Sequence, residues 1–108
     1  MDSYVLCLVT IDNMENASRI AHFLVEKKLA ACVNIVPEIR SIYYWANEIH
    51  DESEKLLIIK TRRDRLPEMQ KSVRQLHPYQ VPEIICFQID HGLPEYLSWI
   101  DDSLCRPE

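Results

Sequence analysis

Glycine is nearly missing from this 108-residue chain: Gly92 is the single one, where ordinary usage would place about seven. The GxGxxG dinucleotide loop, the P-loop and other glycine-rich phosphate cradles need several glycines for close backbone approach, so all are excluded. Positive charge is also short. Twelve Lys and Arg stand against 17 Asp and Glu, for a formal net charge of -5, which argues against the basic footprint of a nucleic-acid binder. No apolar run reaches bilayer length, Val5 to Ile11 being the first and too short. Met1 to Tyr4 lack the basic segment of a secretory leader, so a soluble, cytoplasmic chain without membrane contact is expected. Cys7, Cys32, Cys86 and Cys105 form no CxxC and no Cys/His pair of zinc-site spacing. Free thiols in a reducing compartment are the expectation.

What is present is a foldable core. Hydrophobic residues make up 47% of the chain and fall in blocks, and 27% is charged, the balance of one globular domain over residues 1–108. Tyr4 to Ile11 is nearly all apolar and β-prone, as for a mid-sheet strand buried on both faces. Asp12, with Glu15 three residues on, has capping-box spacing. Ala17, Ile20, Ala21, Leu24, Val25 and Lys28 then follow helical spacing. Ala30 to Trp45 reads as one long strand, with a bulge or edge bend at Pro37, which cannot donate a ladder hydrogen bond.

Ala46 to Ser53 is polar and turn-like, and Leu56 to Thr61 completes a hairpin. Asp64 is placed to cap a second helix with Pro67 in its first turn. Leu66, Met69, Val73 and Leu76 form its stripe, and His77-Pro78 ends it. Glu83 to Ile89 is a fourth strand, and Leu97, Ile100 and Leu104 share one face of a terminal helix. The order β-α-β-β-α-β plus a helix predicts an α+β, ferredoxin-like sandwich. Helices on one face leave the other bare, and Tyr43, Tyr44 and Trp45 extend beyond what a monomer needs, so a homo-oligomer is expected.

Five segments, Ala30 to Ile35, Ser41 to Trp45, Lys60-Thr61, His77 to Ile84 and Tyr96 to Trp99, occur in the order and character of the CutA family of divalent cation tolerance proteins, which the chain resembles over essentially its whole length. The resemblance implies a tight homotrimer of ferredoxin-like subunits, similar in architecture to the PII signalling proteins. It implies a role in tolerance of copper and other divalent metals, with copper binding in some members. It implies no catalytic activity, and eukaryotic members are linked to acetylcholinesterase anchoring. In the bacterial copper pattern a cysteine near the end of the first strand and two histidines before Pro-Tyr are the proposed ligands. Those positions here are Val9, Leu76 and His77. The family's usual glycine after Tyr-Trp is Asn47, which tolerates the same turn.

Two candidate sites follow. His77 is a metal ligand candidate through a neutral ring nitrogen, with Glu83 as a second donor and Cys7, on the strand face of Val9, as a displaced third; Cu(II) or another divalent metal would be the ion. The competing reading has His77 terminating its helix and Cys7 packing as a small hydrophobe. Lys60, Tyr79, Trp45 and Glu54 are expected to line a cleft between subunits that takes an anionic small molecule. Against this, Lys60 pairs with a rim carboxylate and the aromatics fill the interface. Cys32 reads as packing, and His50 and His91 as solvated. A hydrolase built on Cys32, His77 and Glu83 is an alternative on residue type alone. RNA binding through the open sheet is opposed by the acidic balance.

Overall fold

The computed structural model describes residues 3–107. Eight segments are ordered β1 (Tyr4–Ile11), α1 (Met14–Glu26), β2 (Cys32–Trp45), β3 (Glu48–Arg62), a 3-10 turn (Arg63–Arg65), α2 (Leu66–Leu76), β4 (Ile84–Gln88) and α3 (Pro94–Ser103). The sheet runs β2-β3-β1-β4 and every neighbouring pair is antiparallel. This is the expected ferredoxin-like α+β arrangement. No helix among the described residues is long and apolar enough to cross a membrane.

One sheet face carries the core. Val5, Cys7, Val9 and Ile11 of β1 and Leu57 and Ile59 of β3 meet Ala17, Ile20 and Leu24 of α1 and Met69 and Val73 of α2, all fully buried. β1 is therefore not buried on both faces: Tyr4, Leu6, Leu8 and Thr10 are only half-buried, because α1 and α2 lie on one side. The other face is covered at one end by α3, where Ile100 and the C-cap residue Leu104 pack with Ala31, Tyr4 and Leu97.

Several local expectations are corrected. Asn13, not Asp12, caps α1, its side chain accepting from the Asn16 N–H at 2.8 Å, and Asp12 accepts from the Asn13 N–H. α1 ends at Glu26 rather than running to Lys28, which takes a positive φ of 60°. The N–H groups of Lys28 and Leu29 donate back to the carbonyls of Val25 and Leu24, a Schellman closure. Asp64 caps nothing; it pairs with Arg62 at 3.0 Å within the turn before α2.

Residues 48–53 are strand, not turn. The hairpin closes in two residues, Ala46 and Asn47, at φ 52° and 63°, as the right-handed twist of the flanking strands favours. The bulge expected at Pro37 is present, between Val36 and Ile39. The thiols are not all free. Cys7 and Cys86 are partners in the β1–β4 ladder and are joined as a disulfide, leaving Cys32 and Cys105 free.

Candidate functional site

Where β1 ends, the chain after α2 turns back toward the β2–β3 hairpin, and His77 fixes that return. Its backbone N–H donates to Val73 O and closes α2. Its buried ring lies 2.7 Å from Thr10 O through Nε2, and the Tyr79 N–H donates to Nδ1 at 3.1 Å. A carbonyl only accepts and an N–H only donates, so the ring is the neutral Nε2–H tautomer with both nitrogens committed. Tyr79 packs edge-on against it, ring centroids 4.6 Å apart.

Beyond Tyr79 opens a cleft of about 920 Å³ between the hairpin, the end of β1 and residues 79–83. The Tyr79 hydroxyl donates to Glu54 Oε2 at 2.6 Å, and Glu54 is buried at 6% exposure. Burial, then the hydrogen bond to Glu54 and the charge of that carboxylate, push the Tyr79 hydroxyl well above the usual phenol range. Tyr43 repeats the arrangement farther out: its hydroxyl donates to Glu52 and is pushed up to about 12, chiefly by that bond. Thr10 Oγ1 lies 3.4 Å from Glu83 Oε1 at the third wall.

The cleft is acidic. Asp12, Glu52, Glu54 and Glu83 line it against one cation, Arg40, which is held by Asp51 through two bonds of 2.6 and 2.8 Å. Of the four residues expected to share a cleft, Trp45, Glu54 and Tyr79 do so and Lys60 does not. Six residues along β3 from Glu54, about 20 Å away, Lys60 instead sits 5.7 Å from the Tyr96 ring centroid on α3.

The metal set is dispersed as well. Cys7 is fully buried with its sulfur bonded to Cys86, so it offers no thiolate. His77 has no open lone pair, and Glu83 stands exposed in the cleft. No three His, Cys, Asp or Glu side chains among the described residues are grouped to hold an ion. Cys32, on edge strand β2, contacts Asn34 and lies four ladder positions from the level of Thr10, about 13 Å along the strand. The hydrolase trio is not assembled.

Sequence reasoning missed Tyr43, Glu52 and Asp12 as cleft residues. A signal was available: with residues 48–53 read as strand, period two puts Glu52 and Glu54 on one face.

Residues 5–103 match the model of the CutA1 divalent ion tolerance protein family. The chain belongs to this family. A divalent-cation tolerance protein CutA of Thermus thermophilus is 46% identical over 96 residues, covering 89% of this chain and 93% of that protein. The protein CutA homolog of Xenopus laevis is 45% identical over 106 residues, 94% of this chain and 70% of its own length. Of mouse protein CutA, 46% identical, the chain spans about half, 52%. The crystal structure of rice CutA1 superposes with TM-score 0.91 at 42% identity, covering 94% of this chain and 93% of that one. That of Ehrlichia chaffeensis CutA1 gives 0.92 at 33% identity, covering 98% and 99%. None of these names refers to a reaction. Within the CutA1 fold, Val9 and Leu76 pack in the core here and carry no donor atom.

Proposed function

We propose that the protein is a non-enzymatic homotrimer serving in the response to divalent cations, copper among them. The observation that carries the assembly is the apolar surface left uncovered on one chain. Tyr44 and Ile49 on the hairpin are 67% and 72% exposed, and Phe87, on the sheet face opposite the core, is 52% exposed with Ile85 beside it. Large apolar side chains left exposed in groups mark association surfaces, and strands that overhang their own sheet fit copies of themselves. The threefold count rests on the family resemblance, and the cation response on the name shared by the relatives.

Among the described residues no three donors are grouped, and His77 is committed on both sides. In this reading a divalent ion uses Glu83 together with donors from a second copy. Native mass spectrometry with Cu(II), Zn(II), Ni(II) and Co(II) tests both parts. A species at three times the 12.8 kDa chain, with saturable metal uptake that persists in His77→Ala, is expected. A lone monomer removes the assembly, and no uptake from any of the four metals removes the cation reading. Uptake abolished by His77→Ala makes that ring a ligand after all.

A further inference from the structure

The Cys7–Cys86 disulfide ties an edge strand of the sheet to its centre. β1 is held on both sides, by β3 along all of Tyr4 to Ile11 and by β4 from Val5 to Val9. β4 is held on one side, and the segments flanking it, 77–83 and 89–93, form neither helix nor strand. The Ile89 N–H donates to Tyr4 O at 2.9 Å, which makes those two a hydrogen-bonded pair. Three positions on, Cys7 and Cys86 fall at a non-hydrogen-bonded pair, their Cα atoms 4.0 Å apart. At that position the sulfur–sulfur bond takes the place of a backbone link. Successive side chains of a strand point to opposite faces, so Cys86 packs against the core while Ile85 and Phe87, 48% and 52% exposed, face away from it.

Reduction puts two thiols where one bond stood, and they must part to van der Waals distance. Cys7 has no room to yield: it is fully buried with Val5 and Val9 in the close-packed core, on a strand paired along both edges. The displacement falls on β4 and carries Ile85 and Phe87 with it. We propose that the Cys7–Cys86 disulfide is a reversible redox switch that sets the attachment of β4 and, through Ile85 and Phe87, the strength of self-association, the oxidised chain assembling more tightly. The assembly half rests on the homo-oligomer proposed above. The reductant is a dithiol. Its thiolate attacks Cys86 Sγ, on the half-buried partner at the sheet edge, forming a mixed disulfide and releasing Cys7 Sγ, which takes a proton. The second thiol of the reductant then displaces Cys86 Sγ, so two electrons and two protons pass to the protein and the reductant leaves as a disulfide.

Hydrogen exchange of the full chain, oxidised and after dithiothreitol, tests the switch by mass spectrometry, with iodoacetamide counting two thiols before reduction and four after. Amides of residues 84–88 are expected to exchange about tenfold faster or more when reduced, with β3 unchanged. Light scattering over a dilution series is expected to show a dissociation constant raised about tenfold. Cys32→Ser combined with Cys105→Ser removes the other thiols and is expected to keep both responses. Cys86→Ala is expected to match the reduced chain and to ignore dithiothreitol; if it does not fold, the comparison on the unaltered chain decides alone. Equal β4 exchange in the two states overturns the switch, as do four thiols that diamide cannot bring back to two. Equal dissociation with β4 loosened overturns the control of assembly and leaves the oligomer standing. A monomer in both states removes the oligomer itself, and β4 exchange then decides the switch.

Discussion

Lys28, Ala46 and Asn47 hold positive φ angles, while the one glycine does not. Gly92 meets a steric limit instead: a Cβ there would lie 2.8 Å from Leu97 Cδ2, so the Leu97 side chain would have to move. The left-handed positions are thus filled by residues that resist them, Asn47 least, since its short polar side chain tolerates this region. At Lys28 the helix closure needs the conformation and the side chain contributes only strain. Lys28→Gly is therefore expected to raise stability by about 0.5–1 kcal/mol, the relief of strain less glycine's larger unfolded-state entropy. Urea denaturation measures it, and a lower midpoint would show that Lys28 makes a contribution outweighing its φ. His77 makes the complementary point. Its residue type was visible as a candidate ligand, but its two ring partners, Thr10 and Tyr79, come from separate segments, and no local pattern announces them.

Among the elements, α3 is held to the sheet end by charge as much as by packing. The Tyr4 hydroxyl donates to Asp101 at 2.7 Å, Arg62 reaches the other oxygen at 3.0 Å, and Arg65 donates to Leu104 O at 2.6 Å. The Tyr4 bond, opposed by partial desolvation and helped by Arg62, holds the Asp101 carboxyl below its usual range. Arg62 does the same for Asp64. A depressed carboxylate stabilises the fold above its unfolded pKa of about 4, and the contribution is lost as pH falls through the lower folded value. Asp101 is 38% exposed, so the slope is shallow. Thermal midpoints followed from pH 7 to 2 are expected to fall below about pH 4, with the fall reduced in Asp101→Asn; an unchanged profile would remove the clamp.

At this scale most of the fold was legible. Helix stripes and β blocks are short-range periodicities, and Pro37 announced its bulge. What was misread is the lower half of β3, where Glu48 to Ser53 looks polar enough for a turn. It is strand because it pairs with Trp45 to Arg40 across the hairpin, a ladder that supplies the backbone bonds its own composition does not advertise.

The whole molecule is set by the one-sided sheet. α1 and α2 close one face, α3 covers an end of the other, and Phe87 and Ile85 remain open. Under the trimer reading, Phe87→Glu is expected to leave the chain folded, since the side chain is outside the core, and to shift light-scattering mass from trimer toward monomer. A variant that stays fully assembled would place the interface elsewhere.

The near absence of glycine, with which the chain's exclusions begin, removed the phosphate cradles, and alternation and helical stripes determined an α+β subunit with an unpaired face; the residue segments determined the family resemblance. These are properties of composition and neighbours a few residues apart, which the sequence carries directly. Only the tertiary structure decided that Cys7 is joined to Cys86, that Lys60 lies away from Glu54 and Tyr79, and that four carboxylates share one cleft with a single, already paired guanidinium. Those facts depend on which strands lie side by side and in what register. A one-residue change of register turns each side chain to the opposite face, so the charge of the cleft and the ligands open to it are properties of the fold.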